Sequence, residues 1–116
     1  APLVQHSLQV MFEYYKKGKI SLEKVVEKMC HNPAILFEIE KRGFVKEGYK
    51  ADLVIINPNA ENTVSKDNIL YKCGWSPLEN ETFHSEISHT FVNGFLAFEN
   101  GKISPEKHAE RLLFDR

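Results

Sequence analysis

The chain has 116 residues, of which 42% are hydrophobic and 27% charged, a composition that fits one globular domain and excludes a disordered chain. Fifteen basic residues against sixteen acidic ones give a formal net charge of −1, without the basic run that would indicate nucleic acid as a partner. No apolar stretch reaches the ~18 residues of a membrane span and no signal-peptide pattern occurs, so no membrane partner is expected.

The two cysteines, Cys30 and Cys73, are far apart in the sequence, and neither belongs to a CxxC pair or to a spacing typical of metal ligands. Because no signal-peptide pattern occurs, two free thiols in a reducing cytoplasm are the expected state. A structural disulfide is the alternative that the sequence leaves open.

Helical periodicity begins almost at the first residue and predicts a helix that ends near Gly18, which can supply a left-handed C-cap. The apolar face of this helix follows the i, i+4, i+7, i+8, i+11 pattern and consists of Val4, Leu8, Met11, Phe12 and Tyr15. Because the chain lacks an initiator Met and a polar lead-in, we expect it to be a piece of a longer protein, with these apolar residues packing on the remainder.

Two further helices are predicted before residue 43. Ser21 predicts the N-cap of the second helix. Its apolar face consists of Leu22, Val25, Val26 and Met29. Asn32 followed by Pro33 predicts another cap and a short third helix over "PAILFEIE".

After Gly43 the pattern changes to strands and turns. "FVKEGYKADLVIINP" predicts a strand, a turn at Glu47 and Gly48, and a second strand whose aliphatic run, 53–56, is covered on both faces. Asn93-Gly94 between apolar segments predicts a hairpin with a type I′ turn, and Asn100-Gly101 predicts a second turn. Ser104 predicts the cap of a final helix with Ala109, Leu112 and Leu113 inward.

Helices therefore come first and strands afterwards, which indicates an α+β domain or pieces of two domains. Catalytic chemistry is not evident. The histidines form no HxH, HxxxH or HExxH arrangement, so no metal ligand is assigned within this chain. No GxSxG elbow, P-loop or GxGxxG pattern occurs, although a Ser-His-Asp arrangement stays open because such groups meet in space. No catalytic residue is assigned either.

Three segments of the sequence are "GKISLEKVVEKMCHNPAILFEI", "GFVKEGYKADLVIINP" and "SHTFVNGFLAFENGKI". Together they resemble the C-terminal end of the amidohydrolase superfamily, and within it the dihydroorotase family of cyclic amidohydrolases. The stretch "ILYKCGWSPLENETFHSEISHTFVNG" is the part most typical of dihydroorotases. The resemblance covers nearly the whole chain, and only residues 104–116 have no clear counterpart.

The resemblance implies an α/β parent, a metal-dependent (β/α)8 TIM barrel followed by a small β-sandwich built from both chain ends. Residues 1–43 would be the last barrel helices, residues 44–103 the C-terminal strands of the sandwich, and residues 104–116 a C-terminal helix, so this chain is locally α+β. Ala1 and Pro2 match the loop after the last barrel strand and are the candidate substrate-binding residues, with a simple helix lead-in as the alternative.

The implied activity is the zinc-dependent, reversible hydrolysis of L-dihydroorotate to N-carbamoyl-L-aspartate in pyrimidine biosynthesis. Two zinc ions would activate a bridging hydroxide, but their ligands and the proton-shuttling aspartate lie upstream of Ala1 in the family pattern, so this chain alone is expected to be inactive. Its partners would be the small-molecule substrate and the rest of the parent chain, and a homo-oligomer is left open. The alternatives are a dihydropyrimidinase, hydantoinase or allantoinase, a non-catalytic dihydroorotase homologue, or a free-standing α+β interaction module.

Overall fold

A computed structural model describes residues 4–106 and 109–114, with helices in the first third and antiparallel strands in the remainder. The helical elements are a 3-10 turn Val4–His6, α1 Ser7–Lys16, α2 Leu22–Val26, a π-helical turn Glu27–His31 and α3 Asn32–Leu36. The strands are β1 Leu53–Asn57, β2 Asn62–Thr63, β3 Thr82–Phe83, β4 Glu86–Val92, β5 Phe95–Glu99 and β6 Lys102–Ile103. The predicted order, helices before strands, is confirmed.

Helix α1 ends as the sequence predicts but buries a different face. Gly18 has φ +74°, and the Gly18 and Lys19 N–H groups donate to the carbonyls of Tyr15 and Tyr14, so the last turn is closed by a Schellman motif. The buried residues at this helix are His6, Gln9 and Phe12, whereas Val4 is 80% exposed. Of the predicted apolar face, only Phe12 is therefore buried by the described chain.

The second and third predicted helices are one continuous helical segment. Ser21 caps it as predicted, because its hydroxyl accepts a hydrogen bond from the Lys24 N–H. The predicted cap at Asn32 is wrong, since Asn32 has helical φ and ψ angles, and its N–H donates to the carbonyl of Glu27, five residues back. Pro33 lacks an N–H and crowds the preceding turn of a regular α-helix, and the wider π turn accommodates it without a break.

The main sheet has four antiparallel strands in the order β1-β4-β5-β6, and β2 pairs with β3 in a separate ribbon. The predicted hairpin turns are confirmed. Asn93 and Gly94 have φ +52° and +82°, and Asn100 and Gly101 have φ +46° and +89°, which are the positive values that a type I′ turn requires. The hairpin strand β4 pairs with β1, in the register Leu53 to Phe91.

The predicted strand at residues 53–56 is confirmed, and two other predictions are corrected. Strand β1 lies at a sheet edge with Val54 and Ile55 about half exposed, so its cover on both faces by strands outside this chain stays a prediction. The segment before the Glu47-Gly48 turn is not a strand, because Phe44 instead stacks on the His31 ring at 4.1 Å.

The C-terminal helix is also absent over the described residues 104–106 and 109–114. The apolar side chains expected to face inward, Leu112 and Leu113, are 40% and 55% exposed. A helix this short is marginal in water without a surface on which to bury such residues. Phe114 instead forms an isolated antiparallel bridge with Ile39.

The core of the described chain is small. Its buried apolar side chains are Phe12, Val25, Ala34, Val64 and Phe83, of which only Val25 and Val64 are fully buried. The large apolar residues of the helical segment are mainly exposed, with Ile35 at 64% and Leu36 at 74%. No described helix is long and apolar enough to cross a membrane.

Candidate functional site

The two residues assigned to substrate from the sequence, Ala1 and Pro2, lie outside the described residues. The described residues begin at the 3-10 turn that leads into α1. This helix start is the part of the described chain nearest in sequence to the predicted substrate-binding residues.

Helix α1 contacts the loops of the sheet region through a stripe of polar side chains. The polar stripe consists of Gln5, Gln9, Glu13 and Lys16, which recur at helical spacing along one side of the element. Gln9 Nε2 donates to the carbonyl of Ser85 at 2.8 Å. Lys16 Nζ donates to the carbonyl oxygens of Pro58 and His84.

Gln5 contacts three residues of one distant loop. Its side-chain Nε2 donates to the Asn68 carbonyl at 2.8 Å, and its Oε1 accepts from the Leu70 N–H at 2.8 Å. Its backbone N–H donates to the Tyr71 hydroxyl at 2.6 Å. One residue thus joins the start of the helix to a loop more than 60 positions away.

The ionisable groups of this region are set by burial and hydrogen bonding. Burial alone would raise the pKa of Glu13, but hydrogen bonds from the His84 N–H and ring, with the charges of His84 and Lys17, outweigh it and lower the pKa. His6 is 3% exposed and stacks on Phe83 at 5.8 Å. Its burial lowers the pKa of the imidazole, so His6 is neutral near pH 7.

A cavity of about 420 Å³ lies between the helix start and the main sheet. Its walls combine amide groups with apolar and carboxylate side chains, including Gln5, Gln9, Asn68, Glu86, Ile87 and Phe98. Such walls can hold a chain segment or a small polar molecule.

The sequence motifs that carry the resemblance make structural contacts between separate segments of the chain. The Asp52 carboxylate accepts the Asn93 N–H at 2.9 Å and pairs with Arg42, so the "ADLV" strand is tied to the hairpin turn. A Cβ added to Gly43 would lie 2.5 Å from Ala34 Cβ, so Gly43 permits close packing on the "NPA" step. These motifs position backbone segments and do not supply reactive groups.

Each described histidine has a separate environment. His6 stacks on Phe83 and His31 on Phe44, while His84 Nδ1 lies 3.1 Å from Glu13 Oε1. His89 lies between Ser88 and Glu99, with Nε2 3.7 Å from Glu99 Oε1. No group of three or more His, Cys, Asp and Glu side chains within residues 4–106 and 109–114 could hold a metal ion. The zinc implied by the resemblance therefore does not fit the described residues.

The cysteines are likewise separate. Cys30 and Cys73 are free and exposed, and partial burial of its thiol raises the pKa of Cys30. Cys73 Sγ lies 3.7 Å from the Trp75 carbonyl. The raised pKa of Cys30 disfavours its thiolate, which is the reactive form.

Sequence reasoning missed the polar stripe because it considered only the apolar face of the first helix as a packing face. The signal was present in the spacing of residues 5, 9, 13 and 16, which places four hydrogen-bonding side chains on one side. What the sequence could not show was the set of carbonyl and N–H partners, which come from loops 42 to 76 positions away.

The chain is similar to known amidohydrolases in sequence and structure. The model of the amidohydrolase family matches residues 3–97. A dihydroorotase of Pyrococcus furiosus is 32% identical over 112 residues, which is 97% of this chain and 27% of that protein. A structure of a D-hydantoinase superposes with a TM-score of 0.82 at 24% identity, covering 89% of this chain and 23% of the other. The structure of the L-hydantoinase (dihydropyrimidinase) of Arthrobacter aurescens has a TM-score of 0.70 at 32% identity. The match covers 78% of this chain and 20% of the other.

These similarities confirm the resemblance to amidohydrolases and, within them, to dihydroorotases. The chain spans about a quarter of the length of the curated relatives it matches. The match between residues 3–97 and the family model covers most of the sequence, and the chain belongs to the amidohydrolase family.

Proposed function

We propose that these 116 residues are the C-terminal part of a dihydroorotase. The complete enzyme reversibly hydrolyses L-dihydroorotate to N-carbamoyl-L-aspartate. The observation that carries the proposal is the 32% identity to a dihydroorotase over 97% of this chain. A cytoplasmic location belongs to the proposal and is supported by the two free cysteines.

The burial pattern of the chain supports a larger parent. Helix α1 contacts the described loops through its polar stripe, while Val4 and Tyr15 on its predicted apolar face are 80% and 37% exposed. Ile35 and Leu36 are similarly exposed. Large contiguous apolar surfaces are uncommon on a free-standing soluble domain. We assign residues 1–43 to the outer helices of a barrel, on whose missing strands these side chains pack.

The sheet supports the second half of the assignment. Strand β1 lies at a sheet edge with Val54 and Ile55 about half exposed, and the hairpin strand β5 exposes Phe95 by 51%. Because consecutive strand side chains point to opposite faces, both faces of β1 are incompletely covered, and a sandwich places a second layer against one of them. We assign residues 44–103 to the C-terminal strands of a sandwich, whose other strands come from the N-terminal part of the parent.

The reaction adds one water molecule across a ring C–N bond of the cyclic amide. The carbonyl carbon gains the hydroxyl, the C–N bond breaks, and the ring nitrogen takes the proton, which leaves a free carboxylate and a ureido group. The described residues provide no metal cluster for this step. The proposal therefore assigns zinc and the reacting groups to the rest of the parent, and assigns substrate contact to Ala1 and Pro2.

A second candidate is a hydantoinase or dihydropyrimidinase. It is favoured by the 32% identity to the L-hydantoinase (dihydropyrimidinase) of Arthrobacter aurescens over 78% of this chain. The two candidates differ in a property of the substrate, because dihydroorotate carries a carboxylate on its ring and hydantoin and dihydrouracil do not. A site that pairs a buried charge with that carboxylate would reject the uncharged rings strongly.

The test is a substrate panel with the purified full-length protein. Ring opening of L-dihydroorotate, hydantoin, dihydrouracil and allantoin is followed under the same conditions, and the reverse closure of N-carbamoyl-L-aspartate is followed by product analysis. We expect turnover of dihydroorotate in both directions, with kcat/KM at least about a hundredfold above that for the uncharged rings. Turnover of hydantoin or dihydrouracil without dihydroorotate would replace the proposal by the second candidate.

A further inference from the structure

The first helix, which comprises the 3-10 turn and α1, contacts three consecutive residues of the sheet region. This contact segment, residues 83–85, runs from the end of β3 towards β4. At the start of the helix the His6 ring stacks on Phe83, with ring centroids 5.8 Å apart. One turn further on, Gln9 Nε2 donates to the Ser85 carbonyl at 2.8 Å. Gln9 and Ser85 are both buried, so solvent is excluded from the middle of the contact.

The far end of the same contact is made by charged groups. Glu13 Oε1 accepts the His84 N–H and lies 3.1 Å from His84 Nδ1, while Lys16 Nζ donates to the His84 carbonyl. Burial raises the pKa of Glu13, but the hydrogen bonds and charge of His84, with the charge of Lys17, outweigh it and lower the pKa below its ordinary 4.5. Glu13 therefore stays ionised, and keeps its contact with His84, at any pH above its ordinary value of 4.5.

His6 makes the start of the contact sensitive to a single proton. The residue is 3% exposed, and within the described residues its Nδ1 has no hydrogen-bond partner. Asp67 and Glu86 are the charged side chains that line the cavity beside His6, and burial nevertheless lowers the pKa of the imidazole from its ordinary 6.5. A proton added to the closed contact would place a positive charge in a buried site, which is unfavourable.

We propose that this contact is a pH-sensitive switch, in which mild acid releases His6 from Phe83 while Glu13 still holds His84. An exposed His6 has its ordinary pKa, above that of the buried ring, so the open form binds the proton more readily. The closed form is therefore fully favoured above pH 6.5, and it is weakened as the pH falls from 6.5 towards the lower pKa of the buried ring. A protonated His84 would only strengthen the far end, because Glu13 is still ionised in this range.

The size of the effect follows from proton linkage. One pH unit below 6.5, the ratio of open to closed contact should rise by up to about tenfold, the limit that applies when the closed form takes up no proton. The switch belongs to the fold of the described residues, and it does not depend on which cyclic amide the parent hydrolyses.

Amide hydrogen exchange of the full-length protein measures the opening at both ends of the contact. The Leu70 N–H donates to Gln5 Oε1 at 2.8 Å and reports the His6 end, whereas the His84 N–H donates to Glu13 and reports the far end. Protection is the exchange rate corrected for the intrinsic effect of pH. Between about pH 7.5 and about pH 5.5 we expect the protection of the Leu70 N–H to fall by up to about tenfold, with that of the His84 N–H unchanged.

Three variants assign the response to His6. His6→Phe keeps an aromatic ring against Phe83 but gains no proton, so its Leu70 protection should be the same at both pH values. His6→Gln is a second variant that does not titrate and should behave in the same way. His31→Phe is the matched control, because His31 also stacks on a phenylalanine, and it should keep the full response. A Leu70 response that persists in both His6 variants, that is absent from the unchanged protein, or that is matched by an equal fall at His84 would overturn the switch.

Discussion

Gly43 offers a direct test of how the helical segment meets the sheet region. It has φ +86°, and an added Cβ would lie 2.5 Å from Ala34 Cβ and 2.8 Å from the Cys30 carbonyl oxygen. The variant Gly43→Ala therefore meets two separate penalties. The left-handed backbone costs about 1–2 kcal/mol for a residue with a Cβ, and forced overpacking costs about 1–3 kcal/mol. Together they predict a loss of about 2–5 kcal/mol in the free energy of unfolding.

Gly18 is the matched control for this substitution. Its φ of +74° is similar, but an added Cβ would meet no heavy atom within 4 Å. Gly18→Ala should therefore lose only the conformational part, about 1–2 kcal/mol. The difference between the two variants isolates the close approach of Gly43 to the helix.

Both variants are measured by urea unfolding and by thermal melting of the same preparation. Gly43→Ala should lose about 1–3 kcal/mol more than Gly18→Ala, which is a thermal midpoint lower by at least about 4 °C for a domain of this size. Equal losses in the two variants would show that residue 43 does not pack against Ala34. The close packing of Gly43 on the helical segment would then be refuted.

Three further predictions concern the contacts of Asp52, the polar stripe and the exposed apolar surface. Asp52→Ala should lower the free energy of unfolding by about 1 kcal/mol, because the Asn93 N–H and Arg42 lose their acceptor at a partly exposed site. Asp52→Asn should lose less, and a urea titration in which both variants match the unchanged chain would contradict this. The pKa of Glu13 in the folded chain is below its ordinary value of 4.5, so the stability that Glu13 contributes is full above that pH and is lost as the pH falls through the folded pKa. In a plot of unfolding free energy against pH, Glu13→Gln should therefore flatten the acid limb, and an unchanged limb would count against the His84 contact. The isolated 116-residue chain should self-associate in light scattering because Val4, Ile35 and Leu36 are exposed, and a compact monomer that binds no hydrophobic dye would weigh against a larger parent.

The features that could be predicted from the sequence are those set by a few neighbouring residues. Asn93-Gly94 and Asn100-Gly101 adopt the positive φ values of their turns because these residue types tolerate that region. Ser21 and Gly18 cap their helices for equally local reasons. The resemblance to the amidohydrolases came from whole segments of sequence and is confirmed by the family match.

The features that could not be predicted depend on partners far along the chain. Asn32 and Pro33 predicted a helix break, but a π turn keeps the segment continuous. The apolar side of the first helix predicted the packing face, yet the hydrogen bonds of the polar stripe reach loops that no local pattern identifies. The expected helix after Ser104 is not formed in the described residues, since propensity alone does not hold a short helix without a surface to bury it.

A comparison of the full-length protein with the 116-residue chain in one dihydroorotate assay tests most directly which part of the protein holds the reacting groups. Both are supplied with zinc at equal concentration, and ring opening is followed by the loss of dihydroorotate absorbance. The full-length protein should turn over dihydroorotate, and the 116-residue chain should show no rate above the uncatalysed background, because the described residues include no metal-holding cluster. Turnover by the 116-residue chain alone would contradict the assignment of the reacting groups to the rest of the parent.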